Sequence, residues 1–63
     1  PLAAALVLRA MIEDTTRWRR AERYGSAQRW LLEAASLEPQ IADHQGFGTH
    51  EDFLKSIAPY RRF

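Results

Sequence analysis

The residues best suited to do chemistry gather in two places. Arg17, Arg19, Arg20 and Arg23 crowd one short segment, with Trp18 among them. Arginine binds phosphate and an aromatic ring stacks on a base, so this group is the candidate anion or nucleic-acid contact. The same residues also suit a solvated helix end, where cations favour the negative pole of the helix dipole and Glu13 and Glu22 can pair locally. The formal net charge of +1 gives no whole-molecule attraction to nucleic acid and favours the second interpretation.

Asp43, His44, His50 and Glu51 form the one metal-like group. They lack the tight spacing, such as i, i+4 on a helix, that histidine-based sites use, so no metal is assigned. Pro1 could act as an amine catalyst only in a built pocket and fits the first turn of a helix more simply. Glu13 and Asp14 are adjacent and point apart, which makes them a poor acid–base pair. No Ser, His and acid are ordered as a triad, and Gly46-Phe47-Gly48 is too short to cradle a phosphate. No catalytic residue and no cofactor are assigned, and an enzyme is not expected.

At 63 residues with no Cys, the chain is a single small domain that no disulfide can staple. A chain of this size buries only about 60% of the surface its unfolded form exposes. It must rely on helix packing, on self-association, or on membership of a larger protein. The apolar run from Leu2 to Ile12 is interrupted by Arg9 and is far short of the roughly 20 residues a membrane span needs. No basic region precedes it and no clear cleavage site follows, so neither a membrane segment nor a signal peptide is expected. A cytoplasmic location fits the absence of Cys. The chain opens on an apolar segment without an initiator Met, which suggests a fragment of a larger helical protein.

The elements that position these residues read as all-α. Strong helix formers run from Leu2 to about Ala21, with Leu8, Met11, Thr15 and Trp18 on one face. The first half of this helix is apolar nearly all round, and such a helix needs neighbours on more than one side. A second helix, about residues 24–38, aligns Ala27, Trp30, Leu31, Ala34 and Leu37. The short connection between them predicts an antiparallel hairpin. Within it Trp18 and Trp30 fall at similar heights and are placed to pack across the hairpin; if fully buried, either one replaced by Ala would cost about 3–5 kcal/mol. Pro39 ends the second helix or starts a further turn. Residues 43–49 read as a loop, and Thr49 with Asp52 as the N-cap of a short third helix, about 50–58, burying Phe53, Leu54 and Ile57.

Tyr24, Ala27, Leu31, Ala34, Leu37 and Pro39 resemble the second helix of a tetratricopeptide-type repeat, with Trp18 where that repeat places a large aromatic on its first helix. Asp14 and Thr15 depart from its Leu and small residue, and Met11 from its Trp. The likeness spans roughly residues 8–39, about one repeat. Pro1-Leu2-Ala3-Ala4, Leu8 to Asp14, Arg23 to Ala27, Glu33 to Leu37 and Thr49-His50-Glu51 resemble the C-terminal part of an uncharacterised bacterial family, a domain of unknown function in longer helical proteins. That resemblance covers nearly the whole chain and implies a helical context without an activity.

The function expected from these readings is structural or interaction-mediating. Leu2, Leu6, Val7, Trp18 and Trp30 are the candidate protein interface, because exposed apolar patches of that size rarely persist uncovered. The partner would be a second copy or the rest of a larger chain. The alternative is a small nucleic-acid-binding module using Arg17 to Arg23.

Overall fold

Leu2–Arg17 is helical for the reason its composition suggests, being built from Leu, Ala, Met, Glu and Arg. Pro1 stands at its N-cap, and the Pro1 carbonyl accepts the Ala5 N–H at 2.9 Å. The computed structural model describes residues 1–63 and contains three α-helices: α1 (Leu2–Arg17), α2 (Tyr24–Leu37) and α3 (His50–Ile57). Single 3-10 turns lie at Ala21–Arg23 and Glu38–Gln40. The fold is all-α, with α1 and α2 packed as a hairpin and the short α3 laid on it, as the sequence predicts.

The first helix stops four residues short of the expected Ala21. Trp18 leaves helical geometry and Arg19 takes a left-handed φ of 50°. The Arg20 N–H reaches back to the Thr15 carbonyl (3.0 Å) and the Arg19 N–H to that of Thr16 (3.4 Å). This is a Schellman closure, which usually carries Gly at the left-handed position. Two buried β-branched residues prepare the stop. The Thr15 hydroxyl donates to the Met11 carbonyl (2.9 Å) and that of Thr16 to Glu13 (3.0 Å), which satisfies both without any outside partner.

The buried face of α1 also differs from the expected one. It consists of Ala5, Leu8, Arg9, Ile12, Thr15 and Thr16, so Leu8 and Thr15 are buried as expected, whereas Met11 is 38% and Trp18 67% exposed. Ile12 continues the i, i+3, i+4 line from Ala5 and Leu8, and Met11 lies about a third of a turn away from it. The expected pairing of Trp18 with Trp30 does not form, since the early helix stop leaves Trp18 outside while Trp30 packs half-buried against the core.

On α2 the buried residues are Ala27, Leu31 and Ala34. Two of the three are Ala, whose small side chains leave room for the helix packed against them. Pro39 sits inside the Glu38–Gln40 turn, so α2 ends and a tighter turn follows it directly. Ile41 is buried just beyond. The core proper is Ile12, Leu31, Phe53 and Ile57, one or two residues from each helix, with Trp30, Leu54 and Phe63 packed against it.

The loop and α3 start follow local turn chemistry. Gln45 and Gly46 both adopt positive φ between His44 and Phe47, and the Phe47 N–H closes the turn on the His44 carbonyl at 2.9 Å. Thr49 and Asp52 form a complete capping box: the Thr49 Oγ1 accepts from the Asp52 N–H (3.1 Å), and the Asp52 Oδ2 accepts from the Thr49 N–H (3.0 Å). The C-terminal tail folds back, so that Phe63 meets the Tyr24 ring at 5.3 Å between centroids.

Candidate functional site

The arginine cluster surrounds the end of α1, and most of its charge is already answered there. Arg17 pairs with Glu13 one turn back (3.1 Å) and lies over the Tyr60 ring (5.7 Å). Asp14 takes both Arg20 (3.0 Å) and Arg23 (3.5 Å). Arg19 is exposed and has no acidic partner. Arg61 turns away from the group, donating to the Phe63 carbonyl at 2.7 Å. Local pairing, with Asp14 rather than Glu22 as the second acid, thus accounts for three of the four clustered arginines.

Two of the apolar candidates, Val7 and Trp18, lie on one exposed stripe. Ala4, Val7, Met11 and Trp18 recur at helical spacing along the outer side of α1, and Val7 is 60% exposed. Leu2 and Leu6 are half-buried on the opposite flank of α1, away from this stripe. Beside it a cavity of about 460 Å³ opens between α1 and the start of α2, lined by Ala10, Met11, Asp14, Arg23 and Trp30. Its lining joins three apolar residues to the Asp14–Arg23 pair. The stripe and this cavity therefore unite Val7 and Trp30 on one side of the hairpin. Leu32, exposed on α2, and Phe47, exposed at the loop tip, are further apolar groups that helical spacing alone does not single out.

A second constellation lies where the loop meets all three helices, and its centre was not visible in the sequence. Arg9, the charge that interrupts the apolar run, is only 6% exposed. Its NH1 donates to the carbonyls of Phe47 (3.3 Å) and Gly48 (3.2 Å), its guanidinium lies over the Phe53 ring, and its NH2 stands 3.8 Å from the Glu38 Oε2. Glu38 also meets the His44 Nε2 at 2.6 Å and accepts the His50 backbone N–H at 3.0 Å. Of the metal-like group, His44 and His50 are thus both drawn to Glu38, while Asp43 accepts the Gln45 N–H (2.9 Å) and Glu51 pairs with Lys55 (3.8 Å). No group of three His, Cys, Asp or Glu side chains is arranged to hold a metal ion.

The electrostatics of this cluster follow from its contacts. Burial pushes the Glu38 carboxyl up, but the His44 hydrogen bond, the His50 N–H and the charges of His44 and Arg9 outweigh it and hold the group below its ordinary 4.5. Burial pushes the His50 imidazole below its ordinary 6.5; Glu38 opposes this and Arg9 adds to it. Asp52 is held below 3.8, first by the Thr49 N–H and then by the Thr49 hydroxyl. Glu38 is thus engaged by His44, by the His50 backbone N–H and by Arg9, and Asp52 by Thr49.

No helix is long and apolar enough to cross a membrane. No curated protein and no solved structure matches the chain. Residues 1–61 match the model described as a family of unknown function (DUF6880), and the chain belongs to that family.

Proposed function

We propose that this chain is a non-catalytic helical segment that binds protein through the outer side of the α1–α2 hairpin. The observation that carries this reading is the stripe of Ala4, Val7, Met11 and Trp18 together with the adjoining cavity walled by Met11 and Trp30. Large apolar side chains held in water on one face are the usual mark of a contact surface, and Trp and Met are enriched at the centres of interfaces. The small residues Ala5, Ala27 and Ala34 at the hairpin seam support a tetratricopeptide-like packing unit, in which such hairpins stack on neighbours. The partner is a second copy or the remainder of a longer helical chain, and the setting is cytoplasmic.

Sedimentation velocity over a range of concentrations tests the reading in its self-associating form. Reversible association is expected, and Val7→Glu with Met11→Glu should abolish it while the helical circular dichroism is kept. A compact monomer at high concentration would remove self-association. The second reading is a nucleic-acid contact, favoured by Arg19 lacking an acidic partner beside the exposed Trp18. It requires duplex or single-stranded binding that weakens steeply with salt as counterions are released.

A further inference from the structure

The Arg9–Glu38–His44–His50 cluster plays no part in the interaction surface, yet it controls how the loop and α3 are attached. From His44 to His50 the chain is tied to the hairpin by polar bonds to two residues. Arg9 of α1 holds the Phe47 and Gly48 carbonyls. Glu38, at the end of α2, holds the His44 ring and the first N–H of α3. Phe53 and Ile57 then anchor α3 by burial against Ile12 and Leu31.

His50 has no acceptor in place for a second ring proton. Its Nδ1 is buried and has no hydrogen-bond partner. A neutral imidazole can leave that nitrogen without a proton, whereas an imidazolium must place an N–H there with nothing to accept it. The charged groups facing it are Arg9 from α1, which repels a second cation, and Glu38 from the end of α2, which attracts one. His44 of the loop is engaged with Glu38. On α3 itself, Asp52 is held by Thr49 and Glu51 by Lys55.

We propose that this cluster is an acid-sensitive latch: neutral His50 and ionised Glu38 hold α3 on the hairpin, and protonation of His50 frees the start of α3 before α1 and α2 separate. The sign follows from linkage. His50 lies below its ordinary 6.5 when folded, so its contribution is complete above 6.5 and is lost as pH falls through the folded-state value. Glu38 lies below 4.5, so its contribution persists until pH falls beneath that value. While Glu38 stays ionised, its 2.6 Å contact with the His44 Nε2 keeps the loop clipped as α3 loosens. Release uncovers Phe53 and Ile57 together with the part of Ile12 and Leu31 beneath them, so a charge change at one ring becomes newly exposed apolar surface.

Amide hydrogen exchange of the whole chain, followed by NMR and corrected for the intrinsic pH dependence of exchange, tests this. Between about pH 7 and about pH 5 the protection of the Phe53 to Ile57 amides should fall several-fold, while that of the Leu8 to Ile12 and Leu31 to Ala34 amides holds. His50→Asn should flatten the α3 response. The proposal is overturned by α3 protection that does not change over this range, by loss in step with α1 and α2, or by an unaltered response in His50→Asn. Should that variant not fold, the ring titration of His50 in the unaltered chain decides: a midpoint below 6.5 supports the latch, and one at or above 6.5 overturns it.

Discussion

The arginines of α1 and of the turn that follows it occupy two settings, and they behave oppositely. Arg9, alone in an apolar run, is buried and reaches partners 29 to 39 residues away: Glu38, Phe47 and Gly48. Arg17 and Arg23, exposed, and Arg20, half-buried, are conspicuous as a cluster and pair with Glu13 and Asp14 within the same turn region. Water screens the second set and weakens each pair, whereas the first sits where an unpaired charge is costly. Density of charge along a sequence therefore does not locate the charge on which the fold depends.

That contrast can be broken by substitution. Arg9→Ala should have the largest effect, destabilising by about 3 kcal/mol because it orphans two loop carbonyls and strips Glu38 of a buried cation. Urea denaturation followed by circular dichroism would read this as a lower midpoint; an unshifted midpoint would show that the contact is ornamental. Arg19→Gly should act in the other direction, stabilising by about 1 kcal/mol, since Arg19 occupies a left-handed φ of 50° that glycine adopts without a Cβ clash. A lower melting temperature would mean that the Arg19 side chain holds something besides the turn. Arg17→Ala should change stability by less than about 0.5 kcal/mol, because its pair with Glu13 is half in solvent. A larger loss would assign its place over Tyr60 real weight in holding down the tail.

Much of the architecture is legible in the sequence. The second helix and third helix lie within a residue or so of their expected spans, because alternation at 3.6 residues, Pro39 and the Thr49–Asp52 box are local signals. The end of α1 was not legible. Nothing local forbids Arg19 or Arg20 from a helix, and the stop comes from a closure with a non-glycine residue at the left-handed position. The α1 face was displaced for a related reason. Continuing the helix to Trp18 makes Met11 and Trp18 look like core, whereas Ala5, Leu8 and Ile12 are the apolar residues buried, Ile12 against Leu31, Phe53 and Ile57. Of the candidate site, Val7 and Trp18 were found through apolarity alone. Their continuity with Trp30 through Met11 depends on how α2 lies beside α1.

By itself the sequence determined three helices, their order, the hairpin and the cap of the third, since each depends on bonds and side-chain spacings within a few residues. Only the tertiary structure decided that Arg9 is buried, that Glu38 gathers His44 and His50, and that Trp18 faces water. Those outcomes hinge on partners far apart along the chain and on which residues lose contact with solvent, and burial sets both the strength of a charge interaction and the cost of leaving one unmet.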